Sequence, residues 1–275
     1  MTSDELLLPS IGFGTYRLRG DAGRAAVTSA IGLGYRLIDS AYNYENEGTV
    51  GAGIRDALAA GTVDREEIVY TSKLPGRYQR REDALATVEE SVCRSGIGPV
   101  DLYLIHWPNP GQGLYVEAWR ALIEARDRGL VKHIGVCNFL PGHLETLERE
   151  TGEMPVVNQI ELHPEFPQTD ALAWDTDHGI ITESWSPLNR GAALDSGAVV
   201  AAAAAHDATP GQVILAWHRA RGAVAIPKAS SRARQRENLE SLQLELTADE
   251  VAAITALGRP DGRRNDQDPA VYEEF

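Results

Sequence analysis

Ile68-Val-Tyr-Thr-Ser-Lys-Leu74, the polar loop Pro75–Arg80, the amphipathic Arg81–Arg94, then Gly96-Ile-Gly-Pro99 and Val100-Asp-Leu-Tyr-Leu-Ile-His-Trp107 follow one another without a gap that could be a linker. The first and last runs are rich in β-branched and aromatic residues and too short to be helices. The segment between them has helical length, and a crossover of that length joins parallel strands. The same alternation extends outward in both directions. Six more strand candidates are Ile11–Tyr16, Arg36–Ser40, His133–Asn138, Val156–Leu162, Ile180–Ser186 and Val224–Lys228. Helix candidates are Ala22–Leu33 behind an Asp21 cap, Glu47–Ala60, Val116–Arg128, Pro141–Glu150, Thr169–Asp177 and Gly211–Arg221 behind Thr209-Pro210. After the eighth strand come Ser231–Leu242 and Thr247–Leu257, the second opening on the capping box Thr247-x-x-Glu250.

Eight strand–helix units predict an α/β fold, a (β/α)8 TIM barrel with extra C-terminal helices. The rival is an open doubly wound sheet, whose Gly-rich nucleotide loop is missing: Gly12-Phe-Gly14 has no third glycine behind it. Residues 1–275 are expected to form one domain, with 259–275 a polar tail near the active-site mouth. A length of 275 residues suits this, since such barrels run to about 250.

The net charge is −14, which disfavours nucleic acid and anionic membranes as partners. Against that total, Arg219–Arg236 holds six basic residues and no acidic one. Two cysteines, Cys93 and Cys137, make no disulfide framework or Cys-x-x-Cys pair, and the N-terminus has no basic region before its three-leucine run. A reduced, cytoplasmic setting is the expectation. His133, His143 and His163 lack zinc spacing, so no metal is expected.

In a barrel, chemistry gathers where strands run into the loops that follow them. Asp39 ends strand two, with Tyr44 five residues on; Lys73 ends strand three and His106 ends strand four. Buried together, Lys73 and Asp39 would pair, and an ammonium beside a phenol lowers the phenol's pKa. Tyr44 is then a proton donor and His106 a hydrogen-bond donor to a carbonyl. Tyr42 competes with Tyr44 as the inward phenol. Glu161 and Glu183 also lie near strand ends, and a glycosidase pair is the weaker rival.

Asp39-Ser-Ala-Tyr-Asn-Tyr44-Glu-Asn-Glu47, Thr71-Ser-Lys73-Leu and Asp101-Leu-Tyr-Leu-Ile-His106-Trp-Pro108 resemble, in order, the signature, lysine and histidine motifs of the aldo-keto reductases. Ile134–Phe139, Asn158–Pro164, Trp185–Leu188 and Ile226–Lys228 with Arg234 and Glu237-Asn238 resemble that family's cofactor segments. The resemblance runs from about Ile11 to about Leu257, with the pattern of the short-loop, bacterial-type members. It implies an NADP(H)-dependent reducer of aldehydes and ketones, in which Tyr44 exchanges the proton, Lys73 and Asp39 tune it, and His106 orients the carbonyl. It implies that Asn138 and Gln159 hold the nicotinamide carboxamide and that Trp185 stacks on its ring. Thr15, Tyr16, Ser186, Leu188 and Arg190 would line the pyrophosphate path. Lys228 and Arg234 would take the 2′-phosphate, Ser230 would compensate for Ala229 where a hydroxyl is usual, and Glu237 and Asn238 would meet the adenine. Tyr16 and Trp107 would wall the substrate, and Tyr78, Tyr115, Tyr272 and Phe275 are further wall candidates. Analogy implies a monomer acting on a small carbonyl compound. The alternative is an NADP-binding barrel that senses redox state with little turnover.

Overall fold

The computed structural model describes residues 6–275. Eight parallel strands pair in sequence order: β1 (Phe13–Gly14), β2 (Leu37–Asp39), β3 (Val69–Leu74), β4 (Val100–Ile105), β5 (Val131–Cys137), β6 (Val157–Glu161), β7 (Ile181–Trp185) and β8 (Val224–Ala225). Every predicted strand is present, several of them shortened. The sheet does not stop at its ends. Ile11 forms a parallel bridge to Ala225, and the Gly12 and Gly14 N–H groups donate to the Ala225 and Pro227 carbonyls at 2.8 and 3.0 Å.

Helices connect the strands on the outside: α1 (Gly20–Leu33), α2 (Glu47–Ala59), α3 (Arg81–Ser95), α4 (Tyr115–Asp127), α5 (Pro141–Thr151), α6 (Thr169–Asp177), α7 (Gly197–Ala205) and α8 (Pro210–Ala220). Beyond β8 follow α9 (Arg232–Glu240) and α10 (Ala248–Thr255). Helix α9 packs between α8 and α1, so it completes the helical shell, and α10 lies against α7 and α8. The alanine run Ala201–Ala205 is the end of α7, which inserts Val199, Ala202 and Ala203 into the core. Asp21 is not the cap of α1. The cap is Arg19 and Asp21 sits in the first turn, where its charge suits the helix dipole. Thr209 does cap α8: its hydroxyl accepts from the Gln212 N–H while Gln212 Oε1 accepts from the Thr209 N–H.

The core has two regions because each strand has two faces. Between sheet and helices lie Phe13, Ile38, Tyr70, Tyr103, Ile105, Trp119 and Val136 with their neighbours. The inward faces contribute Leu37, Val224 and Ile226 in one group and Leu102, Leu104, Cys137 and Val157 in another, and Leu8 packs against both. One face thus carries apolar residues low in the strands. The polar residues Asp39 and Lys73 lie at or next to the carboxyl-terminal ends of their strands and Gln159 and Glu183 at the middle of theirs, with Gln159 in direct register with Cys137 and Glu183.

Candidate active site

A cleft of about 1030 Å³ opens at the carboxyl ends of the strands. Its deep end is lined by Asp39, Tyr44, His106, Trp107, Cys137, Asn138, Gln159 and Trp185, and its far end by Lys228, Arg234, Glu237 and Asn238. Tyr16, Ser186, Leu188 and Arg190 line the stretch between. The structure therefore brings most of the predicted residues to one continuous surface. Of those assigned to catalysis and the cofactor, three do not reach it. Thr15 is fully buried and donates its hydroxyl to the Asp39 carbonyl at 2.8 Å. Lys73 lies behind Asp39, and Ser230 is exposed outside the cleft.

The deep end is built around one buried ion pair. Lys73 Nζ lies 2.6 Å from Asp39 Oδ1 and donates to the Ser40 carbonyl at 2.8 Å. The same Asp39 oxygen accepts from Gln159 Nε2 at 2.9 Å, and Gln159 Nε2 also donates to Glu183 Oε2 at 2.7 Å. Burial opposes the Lys73 charge, yet the facing Asp39 holds its pKa above the usual lysine range. Lys73 Nζ lies 5.2 Å from the centre of the Tyr44 ring, and the Tyr44 and His106 ring centres are 6.1 Å apart. Tyr44, not Tyr42, faces the cleft; Tyr42 takes a hydrogen bond from Arg94 and packs edge-on against Tyr78.

The sequence predicted a lowered Tyr44 pKa, and the structure corrects that. Tyr44 keeps part of its surface open to the cleft, but burial pushes its phenol above the usual range, and the opposing pull of Lys73 is smaller. Asp39 adds to this, since its charge opposes the effect of Lys73. Tyr44 consequently stays protonated through neutral pH, as a proton donor must.

Burial also raises Glu183, reinforced by nearby Asp39, to about 7. The sign follows from linkage. Between the unfolded carboxyl value of 4.5 and about 7 the folded chain retains a proton the unfolded chain has released, so stability falls as pH rises through this window. Asp175, raised by burial to about 6, acts in the same direction. His218, lowered by burial to about 3, acts in the opposite direction up to its unfolded value of 6.5, so Glu183 is read by difference: relative to Glu183→Gln, the wild-type midpoint of thermal unfolding should fall from pH 5 to pH 8. An identical pH dependence in the two proteins would contradict this assignment.

Asn138 links the deep end to the middle. It sits at φ 62°, donates Nδ2 to the His106 carbonyl at 3.0 Å and accepts from Trp185 Nε1 at 2.7 Å. Ser186, Asn189 and Arg190 also have positive φ, at 51°, 40° and 53°. Non-glycine residues in that region cluster where backbone must approach a ligand. At the far end Lys228 and Arg234 are exposed and make no salt bridge among the described residues. The other basic residues of the 219–236 stretch do not line the cleft: Arg219 pairs with Glu245, Arg221 stacks on Trp217, Arg232 donates to Ser29, and Arg236 is exposed elsewhere.

The tail was legible only as polar residues with aromatic punctuation. Tyr272 packs on Trp107 at 4.5 Å, while Phe275 is 80% exposed. Tyr78 and Tyr115 do not line the cleft; Tyr115 packs on Phe139 and His143. Two further contacts escaped the sequence. Arg264 donates to Asn189 Oδ1 at 2.6 Å, and Glu274 Oε1 lies 2.7 Å from His106 Nδ1, close enough for an ion pair though not aligned as a hydrogen bond. Nothing in a lone tail glutamate signals such a contact. Glu161 and Glu183 are not a sugar-facing pair: Glu161 is buried against His163, and Glu183 against Gln159. Neither lines the cleft.

The model of the Aldo/keto reductase family matches residues 10–259. The chain belongs to that family. It is 48% identical to a 2,5-diketo-D-gluconic acid reductase B from Corynebacterium sp., over 96% of this chain and 94% of that protein. It is 41% identical to the methylglyoxal reductase DkgA of Yersinia pestis, over 98% and 95% of the two chains. Among solved structures, a Gox0644 mutant in complex with NADPH aligns with a TM-score of 0.90 at 41% identity, covering 97% of this chain and 95% of that one.

Proposed function

We propose that this protein reduces aldehydes or ketones to alcohols with NADPH, on a closed (β/α)8 barrel that forms a single domain with added C-terminal helices. One observation carries the reading. A phenol, an imidazole and a buried ammonium–carboxylate pair converge at one end of a cleft whose other end holds two cations that make no salt bridge among the described residues. The structure of a similar protein with NADPH supports the cofactor assignment.

The donor set fits a dinucleotide. Asn138 retains one amide hydrogen and one oxygen lone pair beyond its contacts with His106 and Trp185. Gln159 has spent its amide N–H groups on Asp39 and Glu183, so only its Oε1 is left to accept from a carboxamide. Trp185 offers the flat ring for stacking. Lys228 and Arg234 offer charge-assisted bonds to a 2′-phosphate. When bound, NADPH supplies a hydride from C4 of its nicotinamide to the carbonyl carbon. Tyr44 gives its proton to the carbonyl oxygen. Lys73, held by Asp39, stabilises the phenolate left behind, and His106 orients the oxygen. Tyr16 and Trp107 wall the substrate end. The protein acts as a monomer in the cytoplasm; no helix among the described residues is long and apolar enough to cross a membrane.

Oxidation of NADPH followed with a panel of simple aldehydes tests the reading. Tight NADPH binding without turnover of any carbonyl would favour the redox-sensing alternative. Cofactor choice gives a sharper test. Arg234→Ala should raise the Kd for NADPH by about tenfold or more, because a bond to a charged group contributes about 1.5–3 kcal/mol. The Kd for NADH should change far less, and a parallel change in both would separate Arg234 from the 2′-phosphate. Ala229 removes a neutral donor worth about 0.5–1.5 kcal/mol, which is too little to cancel two cations, so NADPH should remain preferred.

A further inference from the structure

The chain carries a prepared seat for its own tail. Asn109 holds Glu274 at both main-chain groups: Asn109 Nδ2 donates to the Glu274 carbonyl at 2.8 Å, and the Glu274 N–H donates to Asn109 Oδ1 at 3.1 Å. The Glu274 carboxylate accepts from Asn43 Nδ2 at 2.8 Å and from the Gly76 N–H at 2.9 Å. Gly76 must be glycine for this approach. A Cβ there would lie 2.5 Å from the Glu274 carbonyl and 2.3 Å from Asn109 Nδ2. Next to it, Glu273 Oε1 accepts from the Gly111 N–H at 2.5 Å, and Tyr272 covers Trp107. Five polar contacts and an aromatic one thus fix a carboxylate against His106.

We propose that Glu274 is a specificity-determining residue, whose fixed carboxylate beside His106 makes the site select uncharged carbonyl compounds over those carrying a carboxylate on the reacting carbon. This rests on the carbonyl-reductase reading above. A carbonyl oxygen that reaches Tyr44 and His106 places the reacting carbon one bond away and its substituents one bond further. A 2-oxo acid then brings its carboxylate to the end of the cleft that Glu274 lines beside His106. Only 11% of the Glu274 side chain is exposed, so water screens the repulsion poorly. Burial alone would raise the Glu274 pKa. The facing His106 ring, the Gly76 N–H and Asn43 outweigh it and hold the group below the usual carboxylate range, so it is charged at neutral pH.

Apart from His106, its ion-pair partner, the neighbouring groups do not neutralise it. Tyr44 stays protonated, and Lys73 is committed to Asp39 behind the cleft wall. Burial raises the Cys137 thiol well above its usual value, so it carries no charge. Arg17 stacks on Tyr16 with its guanidinium 5.1 Å from the ring centre, and Arg19 pairs with Glu45 at 3.1 Å. Arg77 donates to Asn43 Oδ1 and stacks on Tyr78. A carboxylate further along a substrate, away from the reacting carbon, would escape this repulsion.

Pyruvate and methyl pyruvate present the same ketone with and without the charge. With NADPH, the wild type should show a kcat/KM for methyl pyruvate at least about tenfold above that for pyruvate, the ratio expected for two carboxylates at about 6 Å in a partly screened site. Glu274→Gln should lose most of that preference, and Glu274→Asp, which keeps the charge, should retain it. Titration of the two ketones into the NADPH-loaded protein, read by the fluorescence of Trp107 and Trp185, measures the same preference without turnover. Equal ratios in wild type and Glu274→Gln, no preference in the wild type, or no binding of methyl pyruvate would overturn the proposal. Loss of turnover alone, with the binding preference intact, would instead overturn the reductase reading.

Discussion

Tyr44→Phe should lower kcat for carbonyl reduction by about 10²–10⁴-fold, the range a positioned proton donor contributes, while NADPH binding remains measurable. The substitution removes one oxygen and leaves the ring. Tyr44 packs edge-on against Tyr16 at 5.1 Å and tilts against His106, so its ring has neighbours that hold it without the hydroxyl. The hydroxyl is the only group on that ring able to protonate an alkoxide. Because burial keeps Tyr44 protonated through neutrality, the loss should be nearly constant across neutral pH. Steady-state kinetics beside a fluorescence titration of NADPH will separate chemistry from binding. A variant with near wild-type kcat would remove Tyr44 from the proton path.

Lys73→Met should be damaging in a second way, through stability. The Lys73 and Asp39 side chains are 1% and 5% exposed, so removing the ammonium strands a carboxylate in the interior. Breaking one half of a buried pair costs about 3–5 kcal/mol. Gln159 alone would remain as a donor to Asp39, and Glu183, linked through the same amide, adds a second acid nearby. The double variant Asp39→Asn with Lys73→Met should recover much of the loss, because it leaves neutral groups in both places. Denaturant midpoints for the two single variants and the double variant will measure the coupling. If the single and double variants are equally destabilised, the pair is not what holds this layer together.

The motifs that were legible in the sequence are those whose residues sit in or just past the strands. Asp39, Lys73, Gln159 and Trp185 lie within their strands, where a two-residue period fixes which way they point, whereas His106 and Asn138 lie just past β4 and β5 and Asn138 turns into the cleft at φ 62°. The alternation of short β-rich runs with amphipathic segments likewise located all eight strands and most helices. What escaped was set by distance along the chain. Glu274 meets Gly76 and Asn109 across 198 and 165 positions, and no local pattern encodes such a meeting. The Tyr44 pKa escaped for another reason. Spacing revealed the attraction to Lys73, but only packing revealed that burial exceeds it. The basic stretch was overread similarly: six charges lie together in the sequence, and only Lys228 and Arg234 reach the cleft.

The strand order bears on how the molecule is built. Each of β2 to β8 pairs with the strand made just before it, so a chain emerging from the ribosome can add every new strand to an edge already present. Two joins cannot form that way. The bridge from Ile11 to Ala225 and the seating of Glu274 on Asn109 both need residues from opposite ends of the synthesis order. The seam of the sheet and the seat of the tail are therefore the last parts of the molecule to be completed, and until then β1 remains an open edge.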